Sequence, residues 1–240
     1  METQHGIDIY PEVNPRIFDS LISQIVYNNV PLNRERGNSG TGRSMCFGIV
    51  SKRNGPPGPS RYNTKCPTLW KTLQDLASHL PVPEGWTSCV INQDYPCMPH
   101  VDSGNYGKSC IVSCGLYHGG ELAVCDASGV KLLLNTCNKP VVGEFNKVLH
   151  YVLPLSGFKI SLIYFRCRLP SDPPMPKHHK RSMTEEEAKK YIDPLHMFNP
   201  VPGVSRKEEG RHYVAIDVPN PEWSGLTVRP KARAVKPPAK

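Results

Sequence analysis

The sequence predicts a mainly β protein with flanking α-helices, its core a β-sandwich or jelly-roll barrel. Three observations carry this. From Trp86 to Arg168 the chain breaks into short strand-like runs separated by turn residues, the spacing such barrels produce. Two amphipathic helical segments lie upstream. After Pro170 the composition turns Pro-rich and basic, as in a linker or extended arm. The organisation expected is therefore a domain over residues 1–170, with helical and strand support in 1–85 and a β-core in 86–170. An extension over 171–240 follows, carrying a short helix and partly disordered.

The elements follow in chain order. In "NPRIFDSLISQIVYNN" the apolar residues Ile17, Leu21, Ile22 and Ile25 recur at a helical period, with Asn14 placed to cap and Pro15 at the first helical position. "RSMCFGIVS" reads as a short strand. "KRNGPPGPSRYNTK" is a Pro/Gly loop with four basic residues and no acid. "CPTLWKTLQDLASHL" is a second amphipathic helix with Leu69, Leu73, Leu76 and Leu80 on one side, ended by "PVPEG". Strands are expected in "WTSCVINQDY", "SCIVSCGLY", "ELAVCD" and "VKLLLN". Two more follow in "GEFNKVLHYVLPLSG" and "FKISLIYFRCR", with a turn between them at Ser156-Gly157. In "SMTEEEAKKYIDPL", Ser182 or Thr184 can cap a short helix whose acids come early and lysines late, as the helix dipole prefers.

The bulk numbers narrow the classes. The 240 residues are 38% hydrophobic and 21% charged, suiting a soluble globular protein. No apolar run approaches the roughly 20 residues of a membrane span, and "METQHGIDIYPE" lacks the basic and apolar regions of a signal peptide. Nine cysteines, an odd count without a CxxC pair, read as reduced, buried thiols rather than a disulfide framework or a zinc site. An intracellular location, nuclear or cytoplasmic, is expected. The net charge of +8 and an isoelectric point near 9.0 make nucleic acid a plausible partner. The final "LTVRPKARAVKPPAK", with five basic residues and no acid, is either a solubilising tail or a phosphate contact. The sequence sets no oligomeric state.

The chemistry concentrates in "YPCMPHVDSGNYGKS". On a strand, His100 and Asp102 point to one face while Val101 points to the other. A β-scaffold offers two metal ligands in this way. The third is sought on a distant strand. His118, His150, His178 and His179 are candidates, and His150 sits in a strand-like run near the end of the β-rich region. His118, beside Gly119-Gly120, reads as a surface turn residue. Nine residues past His150 comes Lys159, with Ser161 two further on and therefore on the same face. An ammonium beside a hydroxyl can hold a carboxylate. Two histidines and one carboxylate form the facial triad of non-haem Fe(II) oxygenases.

Residues 90–168 resemble the catalytic core of the Fe(II)/2-oxoglutarate-dependent dioxygenases. The resemblance implies a double-stranded β-helix, Fe(II) on His100, Asp102 and His150, and 2-oxoglutarate anchored by Lys159 and Ser161, where many members have Arg-x-Ser. It implies consumption of O2 and 2-oxoglutarate, oxidation of a substrate C–H bond and release of succinate and CO2. Ascorbate is a candidate stimulant. Within the superfamily, "HVDSGNYGKSCIVSCGLYHGGELAV" followed by "LHYVLPLSGFKISLIYF" is similar to the nucleic-acid base dioxygenases of the TET and base-J-binding-protein type. The arginine pair common after the distal histidine in AlkB-like enzymes is not matched here.

Asn92 and Tyr95, on the strand leading to the motif, are candidates for contacts to 2-oxoglutarate or substrate. Asn105 and Ser109 are candidates for the pocket rim, and Tyr106 for stacking on a flipped base. Glu121 reads as a rim charge and Trp86 as core. Lys52, Arg53, Arg61 and Lys65 offer phosphate contacts or a solvated loop. The leading expectation is oxidation of a nucleic-acid base, for example a pyrimidine methyl. A prolyl or protein hydroxylase acting on a peptide is one alternative. A non-catalytic nucleic-acid-binding module on an oxygenase-like fold is the other.

Overall fold

The computed structural model describes residues 1–28, 43–52, 55–95, 97–126 and 129–173. Arg53, His178, His179, the expected helix after Ser182 and the basic tail lie outside the described residues. Twelve strands and three α-helices are described: β1 (Glu2–Gln4), β2 (Ile7–Ile9), α1 (Asp19–Asn28), β3 (Arg43–Val50), β4 (Gly58–Pro59), α2 (Tyr62–Lys65) and α3 (Pro67–Ala77). They continue with β5 (Ser88–Gln93), β6 (Cys97–His100), β7 (Asn105–Gly119), β8 (Leu122–Asp126), β9 (Gly129–Leu134), β10 (Val141–Gly143), β11 (Leu149–Val152) and β12 (Leu155–Cys167).

These strands form two sheets. One has eight strands in the order β1-β2-β10-β7-β12-β5-β3-β4, the other four in the order β6-β11-β8-β9. All pairings between named strands are antiparallel. Within β5 to β12 the partners nest: β5 with β12, β6 with β11, β7 with β10, and β8 with β9. A long hairpin rolled up so that its ends alternate between two sheets gives this nesting. It is the jelly roll, or double-stranded β-helix, and the chain is mainly β with flanking helices as the sequence predicts.

The helices cover the outer face of the large sheet. Asn14 accepts from the Arg16 amide at 3.1 Å and starts a tight turn at Pro15–Phe18 that runs into α1. Phe18, Leu21 and Ile25 from this segment, and Leu69, Leu73, Leu76 and Leu80 from α3 and its end, are buried against Met45, Phe47, Cys89, Ile91, Val112, Ile160, Leu162 and Tyr164. Each fully buried large apolar side chain stabilises by about 1.5–3 kcal/mol. An aromatic seam fixes α3 to the sheet. Trp70 stacks on Phe47 at 5.9 Å, Trp86 meets Trp70 and Tyr164 edge-on, and the Tyr164 hydroxyl donates to the Leu73 carbonyl at 2.8 Å. Trp86 is thus core. A second cluster, with Ile7, Ile9, Ile111, Leu122, Val124, Leu134, Val141 and Phe145, fills the space between the sheets. None of the nine cysteines is in a disulfide. No helix among the described residues is long and apolar enough to cross a membrane.

Two expectations are revised, and three short strands come without a sequence signal. The hairpin β1–β2 and the strand β10 have only three residues per strand, too few for a period to show. The turn expected at Ser156-Gly157 lies earlier, at Leu153-Pro154, and both residues are inside β12. Gly157 is there for close approach: it takes φ +99°, and a Cβ would come within 2.4 Å of the Leu116 carbonyl oxygen. The Pro/Gly loop, read as irregular, contains the short strand β4 and the single-turn helix α2.

Candidate metal and carboxylate site

His100 ends β6, and Asp102 lies beyond the strand in the turn that follows. The expected single strand face is therefore not what aligns them. The turn aligns them instead: the Asp102 amide donates to the Phe145 carbonyl at 3.0 Å, and its own carbonyl accepts from the Asn105 amide at 2.9 Å. His150 on β11 stands directly opposite His100 in the strand register. The result is convergence. His100 Nε2 is 3.4 Å from Asp102 Oδ1, His150 Nε2 is 3.8 Å from Asp102 Oδ2, and one ligand atom from each residue lies within 4.8 Å of the others.

Each of the three side chains is supported. His150 Nδ1 is 2.9 Å from the Val148 carbonyl, which can only accept, so Nδ1 carries a proton and the ring is held with Nε2 facing Asp102. Phe145 packs edge-on at 5.0 Å from the His150 ring. The Asn105 amide donates to Asp102 Oδ2 at 3.3 Å and to Ser109 Oγ at 3.2 Å. Asn105 and Ser109 are buried behind the carboxylate, not at an open rim as the sequence suggested. Burial pulls the His100 imidazole down, but Cys97 and Asp102 outweigh it and hold His100 well above its usual value. His150 is 4% exposed, His100 16% and Asp102 18%, so the cluster opens on the histidine and carboxylate of the β6 end.

The inner face of the large sheet carries the second half of the site. Ser44, Asn92, Ser161 and Ser113 form one cross-strand row over β3, β5, β12 and β7. Lys159, two residues from Ser161, is 3% exposed. Its ammonium donates to the Gly120 carbonyl and lies 5.1 Å from the Tyr117 ring centre. Burial lowers its pKa to about 8, against the raising effect of Cys97, Glu121 and Cys137. The Lys159 amide donates to Asp94 Oδ1 at 2.7 Å, and the Asp94 amide donates back to the Lys159 carbonyl at 2.9 Å, fixing this segment of β12. Ser113 Oγ is 2.8 Å from the Tyr117 hydroxyl and 2.6 Å from Thr136 Oγ1. Asn92 Oδ1 is buried without a hydrogen-bond partner among the described residues.

Sequence reasoning missed Tyr117, Ser113, Thr136 and Asp94. Period-two spacing places Ser113 and Tyr117 on one face of β7, but only the pairing with β12 puts that face beside Lys159. The other candidates are placed as follows. Tyr95 is buried. Tyr106 is covered by the guanidinium groups of Arg166 at 4.4 Å and Arg168 at 5.4 Å. His118 is exposed on β7 opposite Ser156, a strand position rather than a turn, and Glu121 immediately precedes β8. Arg61 lies on the Tyr62 ring at 5.0 Å, while Lys52 and Lys65 are exposed.

The donor set suits Fe(II): two imidazole nitrogens and one carboxylate, close enough to share an ion and leaving coordination positions free. A buried ammonium beside hydroxyls, and an orphaned amide oxygen, suit an elongated ligand carrying a carboxylate.

No protein-family model matches the sequence, and no curated protein does. Solved structures do. An oxidoreductase of the 2OG-Fe(II) oxygenase family from Burkholderia pseudomallei is 17% identical, over 67% of this chain and 83% of its own, with a TM-score of 0.44. A prolyl-4-hydroxylase from Pseudomonas putida is 19% identical, over 68% and 94%, with a TM-score of 0.43. NgTET1, solved in complex with 5mC DNA, is 15% identical, over 72% and 78%, with a TM-score of 0.46. The jelly-roll assignment rests on the strand order and register of this chain itself. Fold and site together define a jelly-roll protein with a two-histidine, one-carboxylate cluster at one end of the barrel.

Proposed function

We propose that the protein is an Fe(II)- and 2-oxoglutarate-dependent dioxygenase that oxidises a C–H bond on a nucleic-acid base, for example a pyrimidine methyl group. The observation that carries this is the convergence of His100, Asp102 and His150 in a jelly roll whose large sheet also buries Lys159. Fe(II) bound by those three residues supplies oxygen activation, with 2-oxoglutarate as the two-electron reductant leaving as succinate and CO2.

The chain's own residues do the rest. Lys159 and Ser161 take the far carboxylate of 2-oxoglutarate, with Lys159 as point charge and Ser161 as hydrogen-bond donor. Asn92 and Tyr95 lie along the same ligand, and the orphaned Asn92 oxygen accepts a hydrogen bond on its arrival. Val148 and Asn105 hold the two ligand orientations that the metal needs. The apolar layer of Phe145, Leu122 and Val124 keeps water from the reacting centre. The substrate assignment draws on the positive charge of the chain and the order of its motifs.

The test is succinate formation from 2-oxoglutarate with Fe(II) and ascorbate. The arms are no added substrate, methylated DNA or RNA oligonucleotides, and a proline-rich peptide, with Asp102→Ala as control. Stimulation by nucleic acid that disappears in the variant, with a matching nucleoside mass shift, is expected. Stimulation by peptide alone reassigns the protein as a hydroxylase of protein. Failure to bind iron makes it a non-catalytic module.

A further inference from the structure

A shallow groove of about 280 Å³ opens beside the Asp102 turn. Its walls include Ser51 and Lys52 from the end of β3, Ser103 and Gly104 from the turn, and Arg168 from the end of β12. It lies below the range of about 300–1,000 Å³ that encloses a drug-sized ligand. Among the described residues, two cations line it and no acid does. We propose that this groove is a phosphate subsite for a nucleic-acid strand, seating the backbone beside the nucleotide that is oxidised. It rests on the dioxygenase reading above and names where that enzyme grips its substrate.

The geometry argues for an anion. The Arg168 guanidinium is held in place: Nη2 donates to the Asn105 carbonyl at 3.2 Å, Nη1 donates to the Pro173 carbonyl, and the group lies 5.4 Å from the Tyr106 ring centre. With Nε buried, these two backbone bonds leave the second hydrogen on each Nη for a ligand. A planar, pre-aimed guanidinium is the side chain best suited to phosphate oxygens. Across the groove Lys52 is exposed and brings a second positive charge, while Ser51 and Ser103 are exposed on its walls.

The groove is also joined to the proposed iron ligands. Ser103 and Gly104 directly follow Asp102 in the chain, and the Arg168 amide donates to the Gly104 carbonyl at 2.8 Å. Asn105, whose carbonyl receives Arg168, donates its side-chain amide to Asp102 Oδ2. A phosphate on Arg168 therefore sits two hydrogen bonds from the carboxylate. The two cations share the groove with Pro57, Leu169 and Pro170, so it offers charge to a phosphate and an apolar surface to the sugar beside it, which favours a phosphodiester.

The experiment is fluorescence anisotropy with the full chain and labelled single-stranded and duplex oligonucleotides, read between about 50 and 200 mM salt. The double variant Lys52→Gln/Arg168→Gln is expected to bind about fivefold to tenfold more weakly. Its plot of log affinity against log salt flattens by about 0.7–0.9 for each phosphate the protein no longer neutralises. Lys52→Gln alone, which removes no support from Asn105, is expected to weaken binding about twofold to fourfold. Lys71→Gln, whose partner is Asp75 on the outer helix, is expected to match wild type. Unchanged affinity and slope in both groove variants overturns the proposal, as does a loss confined to a glutamate-rich peptide. The binding readout needs no turnover. Weakened binding without succinate production leaves the groove standing and defeats the enzyme, and the reverse pattern does the opposite.

Discussion

The two faces of the large sheet are built from the same strands and differ in every respect that matters. On the outer face, the row Met45, Ile91, Leu162 and Val112 is apolar and sealed by α1 and α3. One residue along, on the inner face, the row Ser44, Asn92, Ser161 and Ser113 is polar. Lys159, two residues from Ser161 on the same face, is buried against the Gly120 carbonyl and the Tyr117 ring, and burial lowers its pKa. The contrast separates two uses of one scaffold. The outer face supplies stability by excluding water. The inner face gives up some of that stability to bury polar groups, among them Asn92 Oδ1, which has no hydrogen-bond partner among the described residues.

The largest effect is expected from Asp102→Ala. Supporting residues around a metal typically contribute about 10- to 100-fold to affinity. Asp102 is itself one of the three converging ligands, so a loss of more than about 100-fold in iron affinity and succinate formation is expected. The helix-covered core is remote from this change, and the circular dichroism spectrum stays that of the wild type. Leu162→Ala does the reverse. It opens a cavity against α3 and costs about 2–5 kcal/mol in urea unfolding, while the iron affinity of the remaining folded protein is unchanged. A stability loss in the aspartate variant equal to that of Leu162→Ala breaks the division between the faces.

The same division explains what was readable in advance. Helix α3 and its buried leucines were legible because four residues at helical spacing mark a face. His100, Asp102 and His150 were legible as a set because a short HxD unit and a later strand histidine carry the chemistry in their side-chain types. The support around them was not. Tyr117 reaches Lys159 through pairing of β7 with β12, and Asn105 reaches Asp102 through the shape of a turn. Neither fact has a local period. Gly157 misled because glycine serves turns and close strand approaches alike, and only the neighbouring Leu116 carbonyl distinguishes them.

Lys159 gives the pH dependence of the inner face. Its folded pKa, about 8, is below its unfolded value near 10.4. The unfolded chain therefore binds more protons between these values, so the ligand-free protein gains stability as pH rises through that window. Carboxylate capture has the opposite sign, because it needs the ammonium. Apparent affinity for 2-oxoglutarate is expected to fall about tenfold from about pH 7 to pH 9, tracking the free-enzyme pKa. Lys159→Met removes both trends. Its 2-oxoglutarate affinity is low and flat with pH, measured by calorimetry with a redox-inert divalent metal in place of Fe(II). A wild-type affinity that stays level across the same range places the carboxylate elsewhere.

The smallest effect sharpens the contrast most. Ser161→Ala and Leu162→Ala are adjacent on β12 but face opposite ways. Ser161 is half-buried in a row of small polar groups, so replacing its hydroxyl by hydrogen costs less than about 1 kcal/mol of stability. If it donates to the far carboxylate of 2-oxoglutarate, removing that bond weakens binding by about 5- to 30-fold, the worth of one charge-assisted hydrogen bond of about 1–2 kcal/mol. Succinate production at saturating 2-oxoglutarate is expected to stay close to wild type, because the hydroxyl touches the cosubstrate's remote end and not its reacting carbon. The pattern of unchanged melting, raised KM and preserved kcat belongs to a binding hydroxyl. A drop in melting temperature with KM unchanged assigns Ser161 to the packing of the sheet, and leaves Lys159 to hold the carboxylate alone.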